Sequence, residues 1–540
     1  MFLLDSASQR DVNDMRPIRQ TSARKRLAFA LAGFVVGTLV PVTAHAQSTV
    51  TETNDNASPP QPQPSLGLAP GTPQVGTLPG GLTPAYGQAP ADQQDWRFDF
   101  HGFVTMPLRM GINTRSGPVT TQQHNVVLHA PPVVPDYIDS FTYTSIVPNP
   151  YAQLNFSYGN SVVTGTTILL AETAVTAQSF FNPPSEAGIA DAFLTFRLPH
   201  LLIQKDHFEI NVGVFTNRYG IMGEYDLGRY GTPTIAQVNG AGENIIGQFA
   251  LGKRFYLDIE QGIQGQLDNP PQGILPAGWN GFADPSVGSG FANHVHLGLG
   301  YLGVATLGLH YVNAWTQDDR ASQGTTPDGT ITVLGSDLRL SLSQWGHLYL
   351  SGSYTHAVNS TSVGGIIQVL NTTGGAGLVA DYLGPRSNGN GTLVTVAAQY
   401  DLSIGRLLRY PRVFKGDGPD IVVSLFGMLT HVSSDDSQYD NVTKRKYGVE
   451  GAYALLPWLA ASLRIDRVEP NSGDGTESFT VVSPRLIFRS SWQAHDQVVL
   501  QYSRWFDGSG VVVRNGYPAV PDPSIHPDED VLSLSASMWW

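Results

Sequence analysis

From residue 97 onward the chain alternates apolar and polar residues again and again. Phe208, Ile210, Val212 and Val214 are interleaved with Glu209 and Asn211. Phe255, Leu257 and Ile259 flank Asp258 and Glu260 in the same way, and Leu338, Leu340 and Leu342 surround Asp337 and Arg339. Leu463 and Ile465 do so around Arg464 and Asp466. Successive strand side chains project to opposite faces, so each run predicts a strand with one greasy and one charged side. The final segment, Asp530 to Trp540, sets Leu532, Leu534, Ala536, Met538 and Trp540 against Ser533, Ser535 and Ser537. Its length matches the roughly 9–11 residues with which a tilted strand crosses a bilayer core. A half-buried strand closing a soluble sandwich shows the same alternation, so periodicity alone does not choose the solvent.

The connectors discriminate further. About eighteen strand windows can be placed, sixteen being the alternative count, and windows 207–215 and 243–251 flank the third long connector. Long connectors (110–149, 216–242, 264–292, 358–391, 506–529) take turns with short ones such as Gly159-Asn160-Ser161, Leu302-Gly303 and Ser343-Gln344-Trp345. Connector 402–419, with Arg406, Arg409, Arg412 and Lys415, breaks the rule. Membrane barrels sort loops by parity in this way and soluble folds have no reason to. The predicted fold is therefore all-β, a transmembrane antiparallel β-barrel. It must close, because a sheet edge facing hydrocarbon leaves backbone groups unpaired. Eighteen strands enclose more room than side chains fill, which predicts a water-filled interior. Aromatics near strand ends, among them Trp96, Tyr151, Trp315, Trp345, Trp458, Trp492, Trp505 and Trp540, are candidates for interface girdles.

The closing segment ending on Trp540 resembles the C-terminal strand of Gram-negative outer-membrane β-barrels. That resemblance implies recognition by the barrel-assembly machinery and residence among outer-membrane lipid and lipopolysaccharide. It sets the short turns in the periplasm, and a homotrimer is compatible with it. The segment from Thr216 to Pro233 concentrates Arg218, Tyr219, Glu224, Tyr225, Asp226, Arg229 and Tyr230. At this place in the chain it is similar to the third loop of general porins, which folds into the lumen and narrows it. The likeness assigns these residues to a pore constriction, where opposed charges set up a transverse field. An exposed loop with solvated ion pairs is the other reading. Arg197, Asp258, Glu260, Arg339, Arg464 and Asp466 fall on the charged faces and are candidates for the lumen wall.

Composition agrees with a barrel. Charged residues make up 14 % of the chain, and it holds 58 Gly, 21 Tyr, 23 Phe and 9 Trp. Absence of cysteine excludes disulfide scaffolds, thiolate metal sites and cysteine nucleophiles. A net charge of −13 argues against nucleic acid as a partner. Arg24-Lys25-Arg26, an apolar run from Leu27 to Val42, and Ala44-His45-Ala46 predict a signal peptide over 1–46. Residues 47–95, rich in proline and glutamine, predict a disordered linker, and 96–540 the barrel.

Other motifs are weak. Gly298-Leu-Gly300-Tyr-Leu-Gly303 has dinucleotide-fingerprint letters but sits in a strand–turn–strand stretch. His294 and His296 share a face without an apparent third ligand, so lumen-lining histidines are expected rather than a metal site. The acidic groups Asp435-Asp436, Asp474 with Glu477, and Asp528-Glu529-Asp530 read as solvated loops, with calcium or a divalent bridge to lipopolysaccharide as the alternative. No cofactor or catalytic centre is expected. The reading is a porin admitting small hydrophilic solutes. Its rivals are a substrate- or phosphate-selective porin, for which Arg197, Arg339, Arg464 and Arg485 would be the ladder, a structural or adhesive barrel, and a barrel-rim hydrolase.

Overall fold

The computed structural model describes residues 96–113, 147–148, 151–173, 185–199, 206–221, 234–265, 289–317, 328–369, 383–408, 419–507 and 529–539, apart from gaps of one to four residues. The leader, the linker and Trp540 lie outside the described residues.

Among the described residues twenty strands follow in order. They are β1 (Arg97–Asn113), β2 (Val147–Pro148), β3 (Tyr151–Gly159), β4 (Val163–Thr173), β5 (Ser185–Pro199), β6 (Asp206–Ile221) and β7 (Thr234–Leu251). Next come β8 (Phe255–Gly265), β9 (Ser289–Tyr301), β10 (Ala305–Gln317), β11 (Thr330–Ser341), β12 (His347–Val358), β13 (Ile367–Val369) and β14 (Gly391–Ser403). The last are β15 (Asp420–Ser434), β16 (Val442–Leu456), β17 (Leu459–Glu469), β18 (Phe479–Phe488), β19 (Asp496–Asp507) and β20 (Glu529–Trp539). A short helix, α1 (Ile404–Leu408), occupies the connector that breaks the length rule.

Eighteen strands make the wall, and each expected window falls on one of them. Each pairs antiparallel with its neighbours, β1 with β3 and β12 with β14. Strand β2 only prolongs the pairing along β1. The ring closes where β1 meets β20, in register from Phe103↔Trp539 to Asn113↔Asp530. Among the described residues each wall strand is paired with a neighbour on both sides, β5 with β6 only from Ala192 to Pro199. Among the described residues no helix is long and apolar enough to cross a membrane, so crossing falls to strands.

The two faces of the ring differ as the alternation requires. Leu297, Leu309, Leu334, Leu425, Leu463 and Leu534 point outward and stay exposed on successive stretches of the wall. The inward residues Asp258, Glu260, Arg464 and Asp466 are buried. A belt of exposed aliphatic side chains around a whole circumference exceeds any patch that a water-soluble monomer carries. With every wall strand paired, it marks a membrane-spanning barrel. At the short-turn end Trp96, Trp345 and Trp458 are all about half exposed, where a girdle belongs.

One expectation fails. The inner face is not polar throughout. Toward the long-loop end of β9–β15 it is lined by Ala292, Val312, Ala314, Ile331, Val333, Leu393, Phe426, Met428 and Val432, all buried. The inner side of strands such as β11 is apolar there, because a second layer of protein covers it from within.

That layer begins at a bend. Strands β6 and β7 run on as a hairpin well past the expected ends at 215 and 243. Their wall neighbours do not follow: β5 pairs no farther than Val214 and β8 no farther than Ala241. At that level Gly213, with φ +143°, stands opposite Gly242. A Cβ on Gly213 would lie 2.6 Å from Phe193 Cα, and one on Gly242 would meet the Ile263 carbonyl. Only glycine permits this backbone and this approach. Beyond the bend the hairpin packs on β10, β11 and β12, with Ile235 over Gly335 of β11.

An arginine in place of the outward Leu463, midway along β17, is expected to cost roughly 2–4 kcal/mol, the penalty for a cation at the bilayer midplane. Reversible folding into lipid vesicles in denaturant reads this directly.

Candidate channel interior

Three sets of side chains meet inside the barrel: the infolded hairpin, an acidic wall and a basic wall.

The hairpin is fastened at its base. Where it leaves the wall, the carbonyls of Phe215 and Gly240 lose their ladder partners, and Gln264 of β8 donates to both from Nε2, at 2.7 and 3.2 Å. On the other side Thr216 Oγ1 donates to Asp191 of β5 at 3.2 Å. Phe215 is fully buried edge-on against Phe193, with ring centres 6.0 Å apart. The free edge of β7 is taken up by β13, which pairs Ile367↔Val238, Gln368↔Gln237 and Val369↔Ala236. The connector between β12 and β14 thus reaches in and completes the inner sheet. Ile235, Ala236, Val238, Ile366, Ile367 and Val369 then form one apolar cluster with the inner wall. Such a layer is stable because an orphan edge is satisfied and greasy surface is covered at the same time.

Of the seven constriction candidates, Arg218 and Tyr219 lie on this hairpin and are buried, and Arg218 Nε donates to Gln237 Oε1 at 3.0 Å. Glu224, Tyr225, Asp226, Arg229 and Tyr230 lie outside the described residues. The Tyr219 ring rests on His294, 5.1 Å away, and beside His310, 6.1 Å away.

The acidic wall spans β5 to β11. Arg197 donates to Glu209 Oε1 at 3.1 Å and to Thr164 Oγ1 at 2.7 Å, and His207 Nε2 stands 2.9 Å from the same Glu209 oxygen. Glu260 accepts from Asn244 Nδ2 at 3.0 Å. His294 Nε2 lies 3.2 Å from Glu260 Oε1, 3.0 Å from Asn244 Oδ1 and 3.3 Å from Asn217 Nδ2. His296 and His310 face each other across β9 and β10 with rings 4.6 Å apart and nearly parallel. His310 is hydrogen-bonded to Asp337, which Arg339 approaches at 3.8 Å. Glu260, His294, His296, His310, Asp337 and Arg339 thus form one continuous ladder under the hairpin. Sequence reasoning had His294 and His296 as lumen-lining but missed His310 as their partner. Its signal was available, since His310 lies five residues into β10, opposite His296 across a short turn.

The basic wall spans β16 to β18. Arg464 grips Asp466 with two bonds, Nε at 2.6 Å and Nη2 at 3.1 Å, and is fully buried. Arg485 Nη1 donates to Glu450 Oε1 at 3.1 Å. Lys444 and Lys446 are buried on the same face, and Lys446 Nζ stands 5.4 Å above the Phe426 ring. Cations outnumber carboxylates here, whereas Asp191, Glu209, Asp258, Glu260 and Asp337 outnumber Arg197 and Arg339 on the first wall. Strand β17 stands eight places on from β8 in the ring of eighteen, so the two walls face each other. All six lumen-wall candidates point inward: Arg197, Asp258, Glu260 and Arg339 on the acidic side, Arg464 and Asp466 on the basic side.

Closed, all-β and membrane-spanning, with charges of opposite sign across its interior, the chain is an eighteen-stranded transmembrane barrel. No protein-family model matches it, and no curated protein matches it in sequence. Solved structures that resemble it include the outer membrane channel DcaP of Acinetobacter baumannii, at 11 % identity and TM-score 0.38, covering 82 % of this chain and 97 % of that one. OccAB1 of Acinetobacter baumannii gives 8 % and 0.41 over 84 % and 99 %. OccD3 of Pseudomonas aeruginosa gives 8 % and 0.38 over 83 % and 93 %. Likeness at this level is weak, and the barrel assignment rests on the strand pairing of this chain.

Placing a carboxylate in the apolar cluster, Ile235→Asp, is expected to release the hairpin without unfolding the wall. Amide hydrogen exchange in 215–221 and 234–240 should accelerate by at least about tenfold, while β14–β19 keep their protection.

Proposed function

We propose that this protein is a porin of the bacterial outer membrane that passes small hydrophilic solutes by diffusion through the barrel interior. The observation that carries the reading is the meeting of a closed barrel, an infolded hairpin and charged walls of opposite sign facing each other. A field across the path orients dipolar solutes and disfavours greasy ones, which must shed water with nothing to replace it. In this reading the hairpin narrows the path, with Arg218, Tyr219, Glu224, Tyr225, Asp226, Arg229 and Tyr230 at or near the narrowing. The leader over 1–46 directs export, residues 47–95 tether the barrel on the periplasmic side, and Trp540 belongs to the signal read by the assembly machinery.

A second reading, selectivity for anionic solutes, is favoured by one feature. Arg485 Nε and Nη2, Ser462 Oγ and Gln497 Nε2 are buried on the basic side and, among the described residues, have no hydrogen-bond partner. Ser462 and Arg485 are direct cross-strand neighbours. Buried donors left unpaired are costly, and a carboxylate or phosphate oxygen satisfies them.

Planar-bilayer recording in a salt gradient tests both. The wild-type protein is expected to give discrete conductance steps. Lys446→Gln with Arg485→Gln should shift the reversal potential toward cation preference, and Asp258→Asn with Glu260→Gln should shift it the other way. Absence of steps from correctly folded protein contradicts the porin reading. Unchanged selectivity in both variants contradicts the assignment of the walls.

A further inference from the structure

The outer surface also carries a charge pattern. At the long-loop end the apolar belt gives way to polar outward positions. On β9, β10, β11 and β14 these are Asn293, Asn313, Thr332 and Thr392, a stretch with no arginine or lysine among the described side chains. On β16, β17 and β19 the same boundary becomes cationic. Arg445 lies between the inward, buried Lys444 and Lys446, Arg467 follows the inward Asp466, and Arg504 follows the inward Ser503. All three therefore point away from the interior. Their side chains are 49 %, 33 % and 39 % exposed.

The three are held as a group. Glu469 lies between two of them, 3.7 Å from Arg445 and 3.6 Å from Arg467, and accepts from the Tyr447 hydroxyl at 3.3 Å. Arg467 donates to Thr480 at 3.1 Å and also to Ser478. Arg504 stands 3.6 Å from Asp530 and lies over the Phe506 ring at 5.1 Å. Register ties them together, with Arg445 opposite Glu469, Tyr447 opposite Arg467, Arg467 opposite Thr480, and Thr480 opposite Phe506. Four adjacent strands span about 15 Å at roughly 4.8 Å per strand, with the cations within two or three rungs of one another. Among the described side chains, three guanidinium groups against two carboxylates leave the sector positive.

We propose that this outward sector of β16–β19 binds the phosphate groups of a phosphorylated glycolipid in the outer leaflet. The proposal rests on the outer-membrane reading above. The location selects a lipid, because outward side chains at the edge of the apolar belt meet headgroups, not a solute stream. Guanidinium selects phosphate, whose oxygens match its paired N–H donors. Tyr447 and Phe506 add apolar surface beside the charges, where sugar rings and upper acyl carbons lie. The carboxylates hold the arginines in place while leaving net positive charge, so no divalent ion is needed. This differs from a bridge through the acidic loop groups: Asp530 is held by Arg504, Asp436 is buried, and Asp528 lies outside the described residues.

The test compares the full exported chain with the variant R445Q/R467Q/R504Q in mild detergent. The probes are bisphosphorylated lipid A and its dephosphorylated form, with binding read by native mass spectrometry. The wild type should hold bisphosphorylated lipid A at least about tenfold more tightly than the variant does, and a chelator wash should not remove it. Dephosphorylated lipid should bind both proteins equally weakly, and millimolar inorganic phosphate should not displace the lipid. Equal affinity of wild type and variant overturns the proposal. So does loss of the lipid to chelator, which points to divalent bridging, or displacement by free phosphate, which points to a solute site. Both proteins should migrate as compact species before boiling. Failure of the wild type to do so defeats the outer-membrane reading, whereas a compact wild type without lipid preference defeats only this sector. If the triple variant does not fold, Arg445→Gln and Arg504→Gln alone should each weaken binding about fivefold, the usual effect of one interfacial cation, and no change in either overturns the assignment.

Discussion

The pairing of β1 with β20 is the constraint on which the rest depends. In hydrocarbon, water is absent, and each unpaired backbone group costs several kcal/mol. A sheet with two open edges has a row of such groups on each. Joining the first strand to the last removes both rows, and only then can the greasy face of every strand turn outward with nothing covering it. Wall strands of 9 to 17 residues, short turns at one end and an outward aliphatic belt all follow from that closure.

The infolded hairpin is the exception that this constraint allows. Strands β6 and β7 leave the wall where β5 and β8 cease to pair with them, and they leave inward, where protein can satisfy what lipid cannot. Gln264 takes the two orphaned carbonyls, Thr216 reaches Asp191, and β13 covers the free edge of β7. The apolar inner faces of β9–β15 belong to the same arrangement. They would be out of place against water, and they make a core beneath the hairpin. The ladder from Glu260 to Asp337 lies below that core, where His294 and His310 meet Tyr219.

Much of the fold was legible because alternation is a local signal. Each of the four clean runs, such as Phe208 to Val214 against Glu209 and Asn211, proved to have its charges inside. The inward direction of Arg197, Asp258, Glu260, Arg339, Arg464 and Asp466 was legible the same way, since a period of two fixes a residue's face once one neighbour is placed. What escaped the sequence was non-local. Nothing in the spacing of apolar residues along 234–242 distinguishes a strand in the wall from one bent off it. Only the direct opposition of Gly213 and Gly242 does, and that needs the register. Ile331 and Val333 face inward on β11 and Leu334 outward, and nothing in the sequence tells what covers the inner two. The basic wall was half seen: Arg464 and Arg485 stood out, but Lys444 and Lys446 gained meaning only beside Phe426 and Glu450.

Because the chain has no cysteine, closure can be measured without interference. Leu108 and Leu534 are cross-strand partners in the β1–β20 seam. Replacing both by cysteine and oxidising the protein in native membranes should give a nearly complete intramolecular disulfide in the compact, unboiled species. A control pair at Leu108 and Leu309, far apart around the ring, should give none. Efficient crosslinking of the control, or none at the seam in folded protein, would contradict the closed barrel and everything inferred from it.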